Sequence, residues 1–112
     1  MLKAFFLSSI LILPGIVNAA TYFQSDVDIA SIASFSSNRP ADSSSNNTVR
    51  LEVPGKTWGE PCGTVAYIDG DDKNLISTLY TAWSMGKRID IEVDSTEAVG
   101  NKCKVTFIKM VK

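Results

Sequence analysis

Hydrophobic and polar residues alternate in several short runs along the chain, and this pattern predicts β-strands. In the clearest run, Val49, Leu51 and Val53 alternate with Arg50 and Glu52. Since successive side chains of a strand point to opposite faces, the apolar residues should face a core and the charged ones the solvent. The pattern predicts five strands, over residues 27–35, 48–53, 62–68, 88–93 and 102–110. The inward side of the first strand is predicted to hold Val27, Ile29, Ala33 and Phe35.

A different periodicity lies between the third and fourth predicted strands. Apolar residues recur there every three or four positions, which is the spacing of one helix face. Acidic residues precede the segment, and Gly86 followed by Lys87 and Arg88 marks its end. The predicted helix has an apolar face formed by Leu75, Ile76, Leu79, Tyr80, Ala82 and Trp83. We therefore expect Tyr80 and Trp83 to be core residues.

The predicted elements follow the order strand, strand, strand, helix, strand, strand. Short strands with a helix between the third and fourth are typical of the five-stranded Greek-key barrel called the OB-fold, which leaves no long sheet edge unpaired. In that layout the strands neighbour one another in the order one, two, three, five, four and back to one, so strands three and five run parallel. The sequence thus favours a mainly β, OB-type barrel with one helix. A two-layer α+β sandwich is the alternative.

The first 19 residues have the features of an export signal. Lys3 supplies a positive charge, residues 4–17 are almost uninterruptedly apolar, and Val17-Asn18-Ala19 has the small-x-small form that signal peptidases cleave. A membrane anchor is the alternative, but about 14 apolar residues fall short of the roughly 20 that span a bilayer. We expect a signal peptide over residues 1–19, a single domain over 20–112, and a secreted or periplasmic protein without a membrane segment after signal removal.

The cysteine and histidine content restricts the chemistry of the chain. Cys62 and Cys103 are its only cysteines and have just one intramolecular pairing, which predicts a structural disulfide in an oxidising compartment. Their wide spacing does not fit a redox Cys-x-x-Cys pair. The chain contains no His, which excludes Ser-His-Asp triads, imidazole acid–base pairs and His-based metal sites. The 11 basic and 12 acidic residues give a net charge of −1, which disfavours nucleic acid as a partner.

Candidate ligand-binding residues lie in and around the first long loop. Residues 36–48 are rich in Ser and Asn without a large apolar side chain, so they predict a mobile surface loop, and long loops are often functional. Arg39, Arg50 and Lys56 are expected to bring positive charge to the outer face of the first three strands, a surface that OB-folds use for ligands. Trp58 lies outside any apolar periodicity, where an exposed ring would stack on a sugar or anchor a partner. The alternative is that Trp58 closes one end of the barrel as a core residue.

A first group of carboxylates lies just before the helix. Asp69, Asp71 and Asp72 surround Gly70 in the manner of a calcium-binding turn. The segment lacks the later ligand of an EF-hand, and a turn that leads into a helix N-terminus accounts for the same residues. We expect no metal here.

A second group, Asp90, Glu92 and Asp94, shares one face of the fourth predicted strand. An acid–base pair on this face would need a nucleophile or imidazole that the sequence does not place nearby, and a charged outer strand face accounts for the pattern. We therefore expect no catalytic residues and no cofactor.

Several segments together resemble short exported bacterial proteins of unassigned function with an OB-type fold. The shared pattern is a Cys that opens a strand, a helix, a Gly-Lys pair, a strand and a second Cys, and it covers roughly half of the mature chain. Here it reads Cys62-Gly63-Thr64-Val65-Ala66-Tyr67-Ile68, Leu75-Ile76-Ser77-Thr78-Leu79-Tyr80-Thr81-Ala82, Gly86-Lys87, Ile89-Asp90-Ile91 and Cys103-Lys104-Val105. The helix-Gly-strand part is also similar to the B subunits of AB5 toxins of the subtilase and typhoid type, which are OB-folds that form pentamers and bind host glycans. Because the chain lacks their additional cysteines and aromatic-rich strands, this resemblance assigns glycan recognition to no particular residue.

Three alternatives for function follow from these expectations. The first is an exported, non-catalytic binding module of unknown ligand, closed by a disulfide, that contacts a protein partner or a glycan. The second is a glycan-binding or assembly subunit of a secreted toxin-like complex, which would form a homo-oligomer. The third is a small enzyme or enzyme inhibitor, which a pocket with convergent polar groups would mark.

Overall fold

The computed structural model describes residues 20–41, 43–55, 58–59 and 62–112. The predicted signal peptide over residues 1–19 and the candidate binding residue Lys56 lie outside these ranges. The described chain is mainly β with one helix, which confirms the predicted fold class at this level. No helix within these ranges is long and apolar enough to traverse a bilayer.

Six strands, one α-helix and a short 3-10 turn make up the described chain. In sequence order they are β1 (Thr21–Val27), β2 (Ser31–Ser34), the 3-10 turn (Ser43–Ser45), β3 (Thr48–Glu52), β4 (Val65–Asp69), α1 (Lys73–Met85), β5 (Arg88–Val99) and β6 (Lys102–Val111). The prediction of five strands is wrong, because the predicted first strand is divided in two and its first part begins earlier, at Thr21. β5 also continues to Val99, well beyond the predicted end of the fourth strand at residue 93.

The six strands form one mixed sheet in the order β1-β5-β6-β4-β3-β2. Neighbouring strands are antiparallel except β4 and β6, which run parallel with Ala66 opposite Cys103. The parallel pairing between the third and fifth predicted strands is therefore present.

The predicted disulfide between Cys62 and Cys103 lies at this parallel contact. Their Cα atoms are 5.4 Å apart, and both residues are buried. Cys62 comes shortly before β4 and Cys103 is near the start of β6, so the bond joins matching ends of two parallel strands. Such a bond indicates an oxidising compartment.

Residues 28–30 link the two edge strands of the sheet. Val27 of β1 pairs with Ile89 of β5, whereas the N–H of Ala30 already donates to the carbonyl oxygen of Glu52 in β3, with N and O 2.7 Å apart. The chain thus passes from one sheet edge to the other within three residues. Among the described residues β1 and β2 do not pair with each other, so the sheet is not closed, in contrast to the predicted barrel.

This interruption changes which residues of the predicted first strand face the core. Val27 is buried and Ile29 packs against the core, but beyond the link Ile32 packs there while Ala33 is exposed. A shift of one residue moves every later side chain of a strand to the opposite face. The prediction that Ala33 faces inward is therefore wrong.

The core lies on the inner face of the sheet, beneath α1. The alternation predicted for β3 and for the first half of β5 is confirmed, since Val49, Leu51, Ile89, Ile91 and Val93 are buried and the charged residues between them lie on the outer face. The buried apolar residues are Val27, Val49, Leu51, Val53, Trp58, Cys62, Ala66, Ile68, Leu79, Ala82, Ile89, Ile91, Val93, Cys103, Val105 and Ile108.

The helix α1 packs against β6 with a narrower face than predicted. Leu79 and Ala82 are fully buried, but Tyr80 is 37% and Trp83 46% exposed, so the prediction that these two are core residues is wrong. At 100° per residue the six predicted apolar positions spread over about 160° of the helix surface, whereas a helix on a core needs a stripe of about 100°. The outer part of the arc therefore lies beyond the core.

Gly70 lies where the turn before α1 meets the first long loop. Its N–H donates to the carbonyl oxygen of Asn47 at 2.8 Å, and a Cβ added at Gly70 would lie 2.5 Å from that same oxygen. A backbone oxygen in a turn cannot move aside cheaply. We expect Gly70→Ala to lower the free energy of unfolding by about 2 kcal/mol, measured by urea denaturation.

Gly63→Ala is the matched control, since a Cβ there meets its nearest atoms at 3.6 Å, an ordinary van der Waals contact. We expect that substitution to change the free energy of unfolding by no more than about 0.5 kcal/mol. Equal effects at Gly63 and Gly70 would contradict the steric explanation.

Candidate binding surface

Two of the predicted binding residues lie together on the ring of Phe35. The guanidinium carbon of Arg50 is 4.6 Å and that of Arg39 5.1 Å from the ring centroid. Both distances fall within the range of cation–π interaction. We call these three residues the Phe35 cluster.

The strands and the first loop position the Phe35 cluster. Arg50 lies on the outer face of β3, between two buried residues. Phe35 follows β2, and its N–H donates to the carbonyl oxygen of Thr48 at 2.9 Å. The Nη2 group of Arg50 also donates to the hydroxyl of Ser45, which fixes the guanidinium from a second side.

The first loop has more internal structure than its composition predicts. The N–H of Arg39 donates to Oδ1 of Asn46 at 3.0 Å, and the N–H of Asn47 donates to the carbonyl oxygen of Ser36 at 2.9 Å. Ser45 is only 3% exposed although it lies in a Ser-rich segment. The loop lies on the surface as expected, but local hydrogen bonds hold its described residues in place.

A row of polar side chains extends from the Phe35 cluster across the outer face of the sheet. Arg50 of β3 is opposite Tyr67 of β4, Tyr67 is opposite Lys104 of β6, and Lys104 is opposite Asp94 of β5. The hydroxyl of Tyr67 donates to the backbone carbonyl oxygen of Glu97 at 2.5 Å, and Nζ of Lys104 lies 3.4 Å from Oε1 of the same residue. The face therefore presents cationic and aromatic groups side by side.

The charge states along this row follow from their surroundings. Partial burial is the main cause that raises the pKa of Tyr67, against the opposing effect of nearby Lys104. Desolvation acts to lower the pKa of Lys104, but the neighbouring carboxylates of Glu97 and Asp69 outweigh it and raise that pKa overall. At neutral pH Tyr67 is thus a protonated hydrogen-bond donor and Lys104 a cation.

Asp94 ends this row with a stabilised charge. Its Oδ1 accepts hydrogen bonds from the hydroxyl and from the N–H of Thr96, the latter at 2.9 Å, and these bonds lower the pKa of Asp94 below 3.8. A lowered folded pKa contributes stability that is present above the unfolded value and is lost as the pH falls through the folded one. We expect an NMR titration of the side-chain carboxyl carbon to show a midpoint below 3.8.

Thr96→Val removes one of the two hydrogen bonds and should raise the pKa of Asp94. Thr106→Val is the matched control, because the hydroxyl of Thr106 donates to Glu92 at 2.9 Å instead. A titration midpoint of Asp94 that does not respond to Thr96→Val would contradict this assignment.

Trp58 does not belong to this surface. The residue is 5% exposed and part of the core, which is the alternative that the sequence left open. Its indole Nε1–H is buried without a hydrogen-bond partner among the described residues. The predicted binding set therefore divides: Arg39 and Arg50 lie together, Trp58 lies in the core, and Lys56 lies outside the described chain.

The carboxylates before the helix form a turn. Oδ1 of Asp69 accepts the N–H of Asp71 at 2.9 Å, as in the alternative proposed for this segment. Asp72 occupies the N-cap position of α1, but its side chain makes no capping hydrogen bond. In the part of the chain that the structure describes, no three acidic or Cys residues are grouped as metal ligands.

The three carboxylates of β5 bond to separate partners. Asp90 accepts a hydrogen bond from the N–H of Asp26 at 2.8 Å, and Glu92 accepts one from the hydroxyl of Thr106. Asp94 accepts its hydrogen bonds from Thr96, as described above. They share a face, as the alternation predicted, but each has its own hydrogen bond.

Phe35 is the residue of this surface that sequence reasoning missed. Alternation predicts Phe35 on the inward side of the first strand, but the residue lies half-buried beneath two guanidinium groups. The only signal was its position, the last apolar residue before the polar loop.

Comparison with protein-family models, with curated proteins and with solved structures finds no match to this chain.

Proposed function

We propose that this protein is an exported, non-catalytic binding module and that the Phe35 cluster binds an acidic group of a glycan or a protein partner. The observation that carries the proposal is the convergence of two guanidinium groups, from a loop and from a strand, on one aromatic ring. Arg39 is exposed, so its donors face the solvent side of the cluster.

Guanidinium chemistry selects the ligand class. A planar guanidinium donates paired hydrogen bonds that match the oxygen spacing of a carboxylate or a sulfate. Phe35 and the hydroxyl of Ser45 hold Arg50 in one orientation before a ligand arrives, and such preorganisation reduces the entropy lost on binding. A glycan with uronic or sialic acid carboxylates, or an acidic peptide, fits this chemistry.

The fold supports an OB-type interpretation of the module. The two edge strands β1 and β2 are joined by only three residues, which brings the edges of the sheet near each other. Together they correspond to the first strand of an OB-fold, bent so that it pairs with β5 at one end and with β3 at the other. The disulfide and the apolar N-terminal segment support export.

The test is binding to an array that holds neutral, sialylated and sulfated glycans, with heparin as a dense anionic probe. We expect the wild-type protein to prefer the anionic members, with affinity that falls as NaCl is raised. Arg39→Gln should weaken this binding at least about tenfold, or 1.4 kcal/mol. Lys109→Gln is the matched control, since it removes one exposed positive charge elsewhere on the sheet. Equal losses in the two variants would show a general charge effect and overturn the proposed site.

A second candidate function, an assembly subunit, is favoured by an exposed aromatic pair. Phe23 of β1 and Phe107 of β6 are 55% and 42% exposed, and their ring centroids are 6.4 Å apart. Exposed rings of this size often mark contacts between subunits. Light scattering tests this alternative. A wild-type mass several times that of the protomer, and a lower mass for Phe107→Ser, would support it. A monomeric wild type would exclude it.

A further inference from the structure

A concave surface, separate from the Phe35 cluster, lies where the C-terminal end of α1 meets the link between β1 and β2. It is an open groove of about 170 Å³. Its lining residues are Asp28, Ile29, Ala82, Trp83, Gly86 and Lys87. The groove contains none of the residues of the Phe35 cluster, so an occupant here would be recognised by different chemistry.

Trp83 provides an aromatic wall for this groove. The indole is 46% exposed although the sequence places it on the apolar face of the helix. The helix ends directly beyond it, because Gly86 adopts a left-handed conformation with φ of 65° and its N–H donates back to the carbonyl of Trp83. A Cβ at Gly86 would meet nothing within 4 Å, so the groove is open at the glycine as well.

Two opposite charges line the same groove. Oδ1 of Asp28 accepts a hydrogen bond from Nη1 of Arg88 at 3.1 Å, which orients the carboxylate. The other carboxylate oxygen, Oδ2, accepts no hydrogen bond from the described residues. The backbone N–H of Lys87 donates to the carbonyl of Ala82 at 2.9 Å, which fixes its main chain. The ammonium group of Lys87 forms no ion pair with any residue of the described ranges. The groove thus offers one acceptor and one donor beside an aromatic face.

We propose that this groove binds one uncharged pyranose residue of a glycan. A pyranose ring has an apolar C–H face that stacks on an indole and hydroxyl groups at its edge that bond to carboxylates and ammonium groups. Arg88 pairs with both Asp26 and Asp28. With Lys87, the two positive and two negative charges at this end of the helix cancel, so the groove does not favour an anion such as a phosphate. Its volume is well below the roughly 300–1,000 Å³ of pockets for larger ligands, which fits one ring.

The groove and the Phe35 cluster are separate surfaces, and the ligand proposed for the groove is neutral whereas that of the cluster is acidic. Binding of a neutral sugar at Trp83 and binding of an acidic group at Arg39 can each be present without the other. A variant of one surface therefore tests that surface alone.

To test this, the full chain is titrated with the methyl pyranosides of glucose, galactose, mannose and N-acetylglucosamine, and the protein's N–H signals are followed by ¹H–¹⁵N NMR. We expect at least one of them to shift the Trp83 indole N–H and the Gly86 and Lys87 amides in a saturable manner below about 50 mM, the range of weak single-ring affinities. The shifts should be absent from the amides around Phe35. No saturable shift at Trp83 for any of the four sugars would overturn the proposal.

Variants locate the site. Trp83→Ala should weaken binding of the same methyl pyranoside at least about tenfold, and Asp28→Asn should weaken it by a smaller factor. Met85→Ala is the matched control, since Met85 is 57% exposed on the same helix but does not line the groove. Unchanged binding in Trp83→Ala, or an equal loss in Met85→Ala, would contradict the site. Binding of an aromatic peptide probe with the sugars inert would show a protein-docking groove instead and would overturn the proposal.

Discussion

The double substitution Cys62→Ala with Cys103→Ala is expected to lower the free energy of unfolding by about 4 kcal/mol. The disulfide closes a loop with a sequence separation of 41 residues, and the loss of that constraint increases the entropy of the unfolded chain. A small domain has a total stability of only about 5–15 kcal/mol, so the variant should be folded only marginally. Urea denaturation followed by tryptophan fluorescence measures the difference.

The position of the disulfide in the sheet predicts which strands its loss should destabilise. The parallel contact between β4 and β6 has two registered residue pairs, Ala66 with Cys103 and Tyr67 with Lys104, whereas β5 and β6 are paired over most of their length. The disulfide holds this short contact in the middle of the sheet. We therefore expect amide hydrogen exchange in β4 to accelerate in the double variant more than exchange in β5.

Reduction of the wild-type protein under native conditions is the control. It should produce a loss of similar size, because it removes the same covalent link without changing the side-chain volume. A loss below about 1 kcal/mol in both measurements would contradict a structural role for the bond.

The strands that the sequence predicted well are those with one buried face and neighbours on both sides. In β3 and β5 the two-residue alternation reflects a core on one face and solvent on the other, and Leu51 and Ile91 are fully buried as expected. The alternation depends on local sequence alone, so it can be recognised without knowing which strands are neighbours.

The division of the first strand could not be predicted in this way. Residues 28–30 continue a β-like sequence, but their break arises because β1 pairs with β5 and β2 with β3. Both partners are distant in sequence, and a single-strand pattern carries no information about them. The register of β1 is irregular between Gln24 and Val27, and Asp26 has a positive φ of 55°. No glycine lies in this segment, so the sequence does not indicate the irregularity.

The candidate site was predicted only in part for a similar reason. Alternation predicts Arg50 on the outer face of β3, and the loop composition predicts Arg39 at the surface, and the structure has both residues in these positions. Their meeting on Phe35 depends on the path of the loop, which hydrogen bonds such as Arg39 N–H to Asn46 determine. Trp58 was ambiguous because no periodicity includes it, and its burial follows from tertiary packing.

Leu79→Ala is expected to lower the free energy of unfolding by about 3 kcal/mol, whereas Trp83→Ala should lower it by less than about 1 kcal/mol. Leu79 has no exposed surface, so truncation leaves a cavity between α1 and the sheet. Trp83 has a larger side chain, but nearly half of it is exposed, so its removal exposes little new core. Urea denaturation of the two variants measures the difference directly.

The comparison distinguishes the observed helix orientation from the one that the sequence predicts. If the apolar arc were centred as its six residues suggest, Trp83 would be a core residue and its removal would cost about 3–5 kcal/mol. In the structure the buried stripe is centred on Leu79 and Ala82, and the hydroxyl of Tyr80 instead bonds to that of Ser34 in β2. A loss in Trp83→Ala equal to that in Leu79→Ala would therefore show that α1 is rotated about its axis, and the groove beside Trp83 would then not exist as described.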